Sequence, residues 1–483
     1  MTTPFHAFHP YSDHPSPEER AEHGRAQRRA VPRKAQGGWE PTADRSDPVS
    51  LLQAQETTRV PGLLPLRHER MGASAFAFYR GTANIMASDL ASQPRTDLYV
   101  QACGDAHLSN FGLFAAPDRR PVFDLNDFDE TNPGPFEWDL KRLATSFVLA
   151  AQDNGFTRRD ARDAAAAAAS EYRTSMARFA QLSEIDIWYQ RLDADSLESW
   201  AAVNGGGLKE NVLSQSISKA SSRTIWTALN KLTDVVDGRR RFIDAPPLIF
   251  RVPQDTLAWS MTIESLTQYF DTLAHDRRAL LERYEIIDLG HKVVGVGSVG
   301  LLAWVLLLQG RDPSDVLVLQ IKQAQTSVLE PYTQPSVYDH AGERVVQGQR
   351  LIQAASDSFL GWVRGKLGRE YYVRQLRDMK WSPEISRFRP NALVTYAQLC
   401  GHVLARAHAR SGDAIAIAAY LGNSTGFDES IVSFSLAYAD QVQLDFAEFQ
   451  AAVADGRLAG GEATSDMSLY LAALRNPMAT SAN

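Results

Sequence analysis

The spacing of apolar residues divides the chain into helical and β-rich stretches. An Ala-rich segment within residues 157–192 predicts a helix, and helical spacing returns at 258–287 and from residue 391 to the end. Between 291 and 380, β-branched and aromatic runs predict strands in VVGVGSVG, LLAWVLLL, VLVLQIKQA and YYVRQLRDM, with a helix at 344–355. Helices around one β-rich segment favour an α+β fold.

Two segments have weaker patterns. Residues 1–60 are rich in Pro, Arg, Glu, His and Gln and have little apolar periodicity, so we expect an extended or partly ordered arm. The arm contains a basic run at 25–34, RAQRRAVPRK, which is typical of a solvated segment or of a contact with an anionic partner. Residues 204–245 suggest loops and short helices.

Composition and charge restrict the class of protein. The 483 residues include 50 Lys+Arg and 57 Asp+Glu, for a net charge of −7, and 44% are hydrophobic, as in an ordinary globular protein. This balance lacks the positive field of a dedicated nucleic-acid binder, so no nucleic-acid partner is expected. The two cysteines, Cys103 and Cys400, exclude a disulfide framework and a cysteine-built zinc site.

The amino-acid sequence shows neither the pattern of a secretory signal nor that of a membrane span. The first thirty residues lack the apolar core of a secretory signal. The longest uncharged stretch, at 293–310, reaches the lower length limit of a membrane span, but three glycines and a serine in its first half favour a strand–turn–strand structure. We therefore expect a cytoplasmic protein without a membrane partner.

The first cluster of chemically active residues is CGDAHLSNFG, at 103–112. It follows a short apolar strand and places Asp105, His107 and Asn110 within six residues on a loop. An acid, an imidazole and a carboxamide at this spacing suit a catalytic loop. The same residue types also stabilise turns through local hydrogen bonds, so a purely structural loop is the alternative.

The second cluster, FDLNDFDE, brings four carboxylates into seven residues, including Asp124 and Asp127. Clustered carboxylates repel one another unless a cation lies among them, and oxygen-rich groups of this kind suit Mg²⁺. An exposed acidic turn is the alternative. The apolar residues between the acids argue against full exposure, and a buried acidic turn needs a counter-charge.

The third cluster is the glycine pattern of Gly295, Gly297 and Gly300. A dinucleotide site would need a helix after the third glycine, whereas LLAWVLLLQG predicts a strand. Lys322 follows as the only charge in VLVLQIKQA. A glycine-rich hairpin followed by a strand lysine is the arrangement of protein kinases. The alternative for Lys322 is an edge-strand lysine that faces water.

Several segments resemble a bacterial family catalogued as domain-of-unknown-function family 2252. The resemblance extends from about residue 20 to about residue 430 and rests on RMGASAFAFYRG, CGDAHLSNFG, FDLNDFDETNPGPFEWDLKRLATS, VVGVGSVG, LQIKQAQTSVLEPY, RVVQGQRLIQAASDSFLGW and YYVRQLRDMK. That family is grouped with the protein-kinase-like superfamily. The resemblance therefore implies a two-lobed, protein-kinase-like fold.

The two polar loops are similar to motifs of aminoglycoside phosphotransferase-like enzymes. Their catalytic loop, HGDxHxxN, corresponds to CGDAHLSN here, with Cys103 in place of the first histidine. Their metal-binding segment, DFDDAGxGPxxxDLA, corresponds to DFDETNPGPFEWDLK, which begins at Asp127 and places Asp139 at the closing aspartate. Asp124 competes with Asp127 for the metal role, because its distance from Asp105 is nearer the spacing usual in those enzymes.

The order of the motifs departs from that of ordinary kinases, in which the glycine hairpin and the strand lysine precede the catalytic loop. Here they follow it, and LARAHARSGD near the C-terminus resembles the helix that leads into the loop. The chain therefore resembles a circular permutation that begins just before the catalytic loop. Residues 61–285 and 386–483 would form a large helical lobe, and 286–385 a small β-rich nucleotide-binding lobe.

The resemblance implies an ATP- and Mg²⁺-dependent phosphotransferase that acts on a hydroxyl group of an unknown small-molecule or protein acceptor. In the small lobe, Lys322 would hold the α- and β-phosphates. Glu343, or alternatively Glu330, would orient that lysine. The residues expected to cover the nucleotide phosphates are those of the hairpin, Gly295, Gly297, Ser298 and Gly300.

In the large lobe, the resemblance assigns catalysis and metal binding to the two polar loops. Asp105 would accept the proton of the acceptor hydroxyl, and His107 would support the catalytic loop. Asn110 and Asp127 would bind Mg²⁺. Asp139 would hold the catalytic loop through hydrogen bonds to its backbone.

Two other functions remain open at this stage. The first is a kinase-fold protein that binds nucleotide without catalysis, or that transfers AMP. The second is a metal-dependent hydrolase built on Asp105, His107, Asp124 and Asp127. The hydrolase would leave the glycine hairpin and Lys322 without a role.

Overall fold

A computed structural model provides the three-dimensional structure. It describes residues 14–463, apart from gaps at 194, 198, 200–228, 230–231, 237, 294 and 377–380. The described residues form a mixed α/β structure with several β-sheets. Among these residues, no helix combines the length and apolar character that a membrane crossing requires.

Fourteen helices can be delimited within the described part of the chain. In chain order they are α1 (Pro17–Ala30), α2 (Pro48–Glu56), α3 (Leu64–Met71), α4 (Ala75–Tyr79), α5 (Ala83–Ala91), α6 (Phe136–Asp153), α7 (Arg158–Phe179), α8 (Glu184–Tyr189), α9 (Leu257–Asp271), α10 (His275–Leu281), α11 (Ala341–Ile352), α12 (Pro390–Ser411), α13 (Ala414–Leu421) and α14 (Gly426–Ala454).

The strands form four antiparallel sheets. In chain order the strands are β1 (Tyr99–Ala102), β2 (Phe111–Ala115), β3 (Pro121–Leu125), β4 (Asn132–Pro135), β5 (Leu192–Asp193), β6 (Thr233–Val236), β7 (Arg239–Phe242), β8 (Ile249–Arg251), β9 (Glu285–Lys292), β10 (Ala303–Gln309), β11 (Val316–Ala324), β12 (Gly361–Arg364) and β13 (Glu370–Gln375). The largest sheet has the order β12-β13-β11-β10-β9-β8, and the others are β1-β4, β2-β3-β5 and β6-β7.

The N-terminal segment differs from the extended or partly ordered arm that the sequence predicts, because it contains α1 and α2. Ser16 and Glu19 form a reciprocal capping box at the start of α1, and Asp47 caps α2. The surface of α1 packs tightly on α13, since a Cβ on Gly24 would lie 2.0 Å from the carbonyl oxygen of Ala416. Capping and packing thus create a helix where apolar periodicity is weak.

The helical core forms around α6, α7, α12 and α14, and the Ala-rich helix predicted from the sequence is α7. A Cβ on Gly401 of α12 would lie 2.4 Å from the carbonyl oxygen of Ala168 in α7, so the two backbones are in close contact. Apolar side chains of α6, such as Phe147 and Leu143, are fully buried between these helices. This core supports the loops that follow β1 and β3.

The β-rich region confirms three of the four predicted strands and corrects the first. Within VVGVGSVG, residues 295–300 form a turn with a short 3-10 helix at Val296–Ser298, and the strand before it is β9. Gly300 has φ +91°, a left-handed conformation that interrupts a strand. The predicted helix at 344–355 is α11, which begins earlier because His340 caps it. Residues 204–228, 230–231 and 237 lie outside the described residues, and within the remainder up to 245 the strands β6 and β7 pair with each other.

The end of α12 lies against β1, the strand that leads into the first polar loop. The backbone N–H of Gln101 donates a hydrogen bond to Ser411 Oγ over 3.1 Å. A Cβ on Gly412 would lie 2.6 Å from Cγ1 of Val100. The chain therefore brings a helix near its C-terminus to the beginning of a loop at residue 103.

Candidate active site

A cavity of about 550 Å³ lies between the glycine turn, strand β11 and the two polar loops, and is called the central cavity below. It brings together residues from three distant parts of the sequence. The predicted site residues that line it are Asp105, His107, Asn110, Asp127, Gly295, Gly297, Ser298 and Lys322. Gly300, Asp124 and Glu343 do not line it.

Asp139 holds the backbone of the first polar loop. Its carboxylate accepts hydrogen bonds from the N–H groups of Cys103, over 2.6 Å, and Gly104, over 2.9 Å. His408 Nε2 lies 3.2 Å from the same carboxylate, so α12 contributes to the anchor. Gly104 has φ +81°, and a Cβ there would lie 2.2 Å from the carbonyl oxygen of Glu130. The predicted role of Asp139 is confirmed.

Asp105 is an acid with an unusual environment. Arg142 Nε donates a hydrogen bond to Asp105 Oδ1 over 2.6 Å. Burial raises the pKa of Asp105 to about 6, against the opposing effect of Arg142. The carboxyl is therefore mostly ionised at neutral pH, and it is a stronger base than an ordinary aspartate.

His107 is a neutral imidazole that supports this loop. Its Nδ1 accepts a hydrogen bond from the Ser109 backbone N–H over 3.2 Å, which leaves the ring proton on Nε2. That nitrogen lies 3.8 Å from Asp105 Oδ2. Burial, together with the charges of Arg80 and Arg142, holds the pKa of His107 well below its usual value.

Asn110 and Asp127 supply the oxygen atoms expected of a metal site. The Asn110 side-chain amide donates to the carbonyl oxygen of Asp105 over 2.7 Å, which orients the amide. Asp127 lines the same cavity with its side chain partly exposed. No group of three or more His, Cys, Asp or Glu residues suited to a metal ion occurs within the described residues. Mg²⁺ normally needs only one or two carboxylates, because substrate phosphates and waters complete its shell.

Lys322 points into the central cavity from β11, an interior strand of the six-stranded sheet, and its side chain is only 2% exposed. The alternative of an edge-strand lysine facing water is therefore wrong. Lys322 Nζ lies 3.7 Å from Asp127 and donates a hydrogen bond to Asp129. Burial lowers the pKa of Lys322, but Asp127 and Asp129 outweigh it and raise that pKa above its usual value.

The acid that orients Lys322 is Asp129, which corrects the prediction of Glu343 or Glu330. Asp129 also accepts hydrogen bonds from Tyr372, over 2.8 Å, and from Ser298 Oγ, over 3.3 Å. Glu330 instead faces Arg344, at 3.6 Å. The described residues show no ion pair between Glu343 and Lys322. The helix that carries Glu343 supplies Arg344, which binds the backbone of the acidic loop.

Asp124 lies away from the central cavity, which corrects its assignment as a possible metal ligand. Its carboxylate is fully buried and forms an ion pair with Arg406 of α12 at 2.7 Å. The same carboxylate accepts hydrogen bonds from the backbone N–H groups of Leu125 and Ala354. These partners occupy Asp124 in a structural role.

The glycine turn is anchored at one end and open at the other. At the anchored end, Val60 N–H donates to the carbonyl oxygen of Gly300 over 2.8 Å, and Arg59 Nη1 donates to that of Val299 over 2.5 Å. At the open end, no atom of the described residues, apart from the chain neighbours of Gly295, lies within 4 Å of a Cβ built on Gly295. A ligand can therefore approach the backbone there closely.

Sequence reasoning missed several polar groups in the central cavity. The cations are Arg59, Arg80, Lys292 and Arg374, and the amides are Asn126, Gln320, Gln323 and Gln325. Asn126 is 4% exposed, and neither atom of its amide has a hydrogen-bond partner among the described residues. The motif RMGASAFAFYRG, which ends at Arg80 and Gly81, was the available signal for one of these cations.

Comparison with protein families gives a match whose residues include the whole of this site. No curated protein and no solved structure was found to match the chain. A family model described as an uncharacterised protein conserved in bacteria (DUF2252) matches residues 59–452. The match begins after α2 and includes every residue that lines the central cavity. The chain therefore belongs to the DUF2252 family of bacterial proteins.

Proposed function

We propose that the protein is an ATP- and Mg²⁺-dependent phosphotransferase with a circularly permuted, protein-kinase-like fold, acting on a hydroxyl group of an acceptor. The proposal rests on one observation. Asp105, Asp127 and Lys322 line the same cavity, and the glycine turn lines it too. An acid near the reacting group, a metal-binding acid and a lysine for the phosphates are the residue types that protein kinases use for phosphoryl transfer.

The arrangement of secondary structure supports a kinase-like fold. The glycine turn lies between β9 and β10, and Lys322 lies on β11, within one antiparallel sheet. The contact of Ser411 with β1 supports the permutation, because it brings the helix that would lead into the catalytic loop next to that loop. A catalytic group depends on its place in space and not on chain order, so permutation preserves the chemistry.

The central cavity fits a nucleotide. Its volume of about 550 Å³ lies within the range of roughly 300–1,000 Å³ that is typical of small-molecule sites. Gly295 leaves its backbone open to phosphates, and Lys322 supplies a fixed positive charge. Asn110 and Asp127 fit a magnesium ion, because both offer oxygen atoms at the same cavity.

The proposed reaction assigns a task to each polar loop. When bound, Mg·ATP supplies the phosphoryl group, and the metal ion neutralises charge on the phosphates. Asp105 accepts the proton of the acceptor hydroxyl, whose oxygen bonds to the γ-phosphorus as the bond to the ADP oxygen breaks. ADP then leaves with that bonding electron pair. A pKa of about 6 keeps Asp105 ionised and basic at neutral pH.

The position of Asp124 disfavours the metal-dependent hydrolase. That function needs Asp124 beside Asp105, His107 and Asp127, whereas Asp124 pairs with Arg406 in the interior. A nucleotide-binding protein that is non-catalytic, or that transfers AMP, would use the same cavity. Product analysis separates these functions, since phosphoryl transfer releases ADP and AMP transfer releases pyrophosphate.

The proposal is tested by nucleotide binding in the presence and absence of Mg²⁺. We expect ATP to raise the melting temperature of the full chain when Mg²⁺ is present, and Lys322→Met to abolish most of that shift. Lys366→Met is a matched control, because Lys366 lies on the surface with 47% of its side chain exposed. Stabilisation by metal alone, with no response to nucleotide, would contradict the proposal.

A further inference from the structure

The motif RMGASAFAFYRG has no role in the reaction described above. It spans the end of α3 and all of α4, and it ends at Arg80 and Gly81. Arg80 lines the central cavity together with Asp105 and Asp127. An N-terminal segment outside the two polar loops and the glycine turn therefore delivers a cation to the proposed site of phosphoryl transfer.

Several contacts hold this segment against the catalytic loop. Arg142, which binds Asp105, also donates to the carbonyl oxygen of Tyr79 over 2.9 Å, and the Tyr79 hydroxyl donates to the carbonyl oxygen of Arg142 over 3.0 Å. On the other side, Arg67 donates to the carbonyl oxygen of Gly81 over 3.0 Å. The backbone on both sides of Arg80 is thus fixed relative to Asp105.

The backbone of Arg80 also approaches the glycine turn. Its carbonyl oxygen is 3.6 Å from the position of a Cβ on Gly297. The guanidinium lies 6.0 Å from the centre of the Phe76 ring, and that ring makes an edge contact with His107. Arg80 therefore lies where the glycine turn and the catalytic loop come together.

The guanidinium of Arg80 has no strong partner among the described residues. The negative charges of Asp105 and Asp127 both attract it, but no carboxylate there forms an ion pair with it, and its buried Nε has no hydrogen-bond partner. Lys322, in contrast, is engaged by Asp127 and Asp129. A partly buried guanidinium that forms no ion pair with a described residue suits an anion with several oxygen atoms, which its planar donors can bind in pairs.

We propose that Arg80 binds the terminal phosphate of the nucleotide and is a further catalytic residue of this protein. The inference rests on the proposed function, and it assigns different phosphates of the nucleotide to Lys322 and Arg80. Lys322 holds the inner phosphates from the sheet. Arg80 holds the γ-phosphate from the helical side, between Asp105 and Asp127, and stabilises the negative charge on the group that is transferred.

The test compares the binding of two nucleotides by calorimetry with the full chain and Mg²⁺. The probes are ADP and a non-hydrolysable ATP analogue. We expect Arg80→Met to weaken binding of the ATP analogue about 10- to 100-fold, the value of a charge-assisted hydrogen bond, and to leave ADP binding unchanged. Lys322→Met should weaken both nucleotides. Arg159→Met, a change at a side chain that is 89% exposed, is the matched control.

The possible outcomes separate this inference from the proposed function. Equal effects of Arg80→Met on both nucleotides, or no effect on either, would overturn the role of Arg80 while leaving the phosphotransferase intact. Failure of the unaltered chain to bind any nucleotide would overturn both. If Arg80→Met does not fold, Arg80→Lys keeps the charge but loses the paired donors, and it should still reduce affinity for the ATP analogue more than for ADP. Equal affinities in that variant would overturn the inference.

Discussion

Arg142 donates a hydrogen bond from Nε to Oδ1 of Asp105 over 2.6 Å, and this contact sets the properties of the proposed base. The same guanidinium also donates a hydrogen bond to the Tyr79 carbonyl oxygen, and this second contact fixes its position. The second oxygen of Asp105 lies 3.8 Å from His107 Nε2. In the proposed reaction, Arg142 would be a positioning residue, which holds one carboxylate oxygen of Asp105 and leaves the other for the acceptor hydroxyl group.

Replacement of Arg142 should change the pH dependence of activity. Burial raises the pKa of Asp105 to about 6, and the charge of Arg142 opposes this rise. In Arg142→Met that pKa should rise, so the loss of activity on acidification should begin at a higher pH than in the unaltered protein. The measurement is kcat/KM between about pH 5 and 8. Arg142→Lys keeps the charge and should restore much of the original profile, whereas an unchanged acidic limb in Arg142→Met would contradict the assignment of Asp105 as the base.

Asp105→Asn should separate catalysis from binding. Asp105 has no ligand role in the proposed reaction, so the variant should bind Mg·ATP normally and lose transfer by about 10²- to 10⁴-fold. Slow ATP hydrolysis or autophosphorylation serves as the readout until an acceptor is found. Full activity in Asp105→Asn would contradict the assignment of Asp105 as the general base.

Asp124 and Asp127 should respond differently to the same substitution. Asp127→Asn removes charge from a group at the central cavity, so the Mg²⁺ dependence of nucleotide binding should weaken while the protein stays folded. Asp124→Asn leaves Arg406 buried without its partner, which should cost about 3–5 kcal/mol in the free energy of unfolding. Chemical denaturation and Mg²⁺ titration of both variants provide the measurement. A loss of Mg²⁺ dependence in Asp124→Asn alone would reverse the assignment.

Glu130 should make stability depend on pH. Burial raises its pKa from 4.5 to about 7, although the Val328 N–H donates to it over 2.8 Å. The folded state therefore holds this proton more tightly than the unfolded state. Its contribution to stability should be complete below about pH 4.5 and should be lost as the pH rises to about 7.

Glu130→Gln provides the comparison, because it removes the titrating group and keeps the shape. Relative to this variant, the unaltered protein should lose at most about 1.4 kcal/mol of unfolding free energy per pH unit across that window. Urea denaturation at about pH 5, 6 and 7 measures the difference. A constant difference between the two proteins at all three values would show that Glu130 does not titrate in the window.

The sequence by itself predicted the features that depend on local preference. The Ala-rich composition predicted α7, and β-branched runs predicted β10 and β11, because helix and strand preferences act within a few residues. The sequence also marked Lys322 as the only charge in its strand, but it left open whether that lysine faces water. Residues 14–30 show the limit of this reasoning, since α1 is a polar helix that is stabilised by caps and by packing against a distant helix.

Only the tertiary structure decided which charges are partners. Asp129 and Lys322 are 193 positions apart, and the four acids between residues 124 and 130 do not all have the same partners. Asp124 meets Arg406 in the interior, whereas Asp127 and Asp129 face Lys322. Arg80 reaches the same cavity from a separate helix. Ion pairs form between groups that packing brings within a few ångströms, and the packing of distant segments is not encoded in the spacing of neighbouring residues.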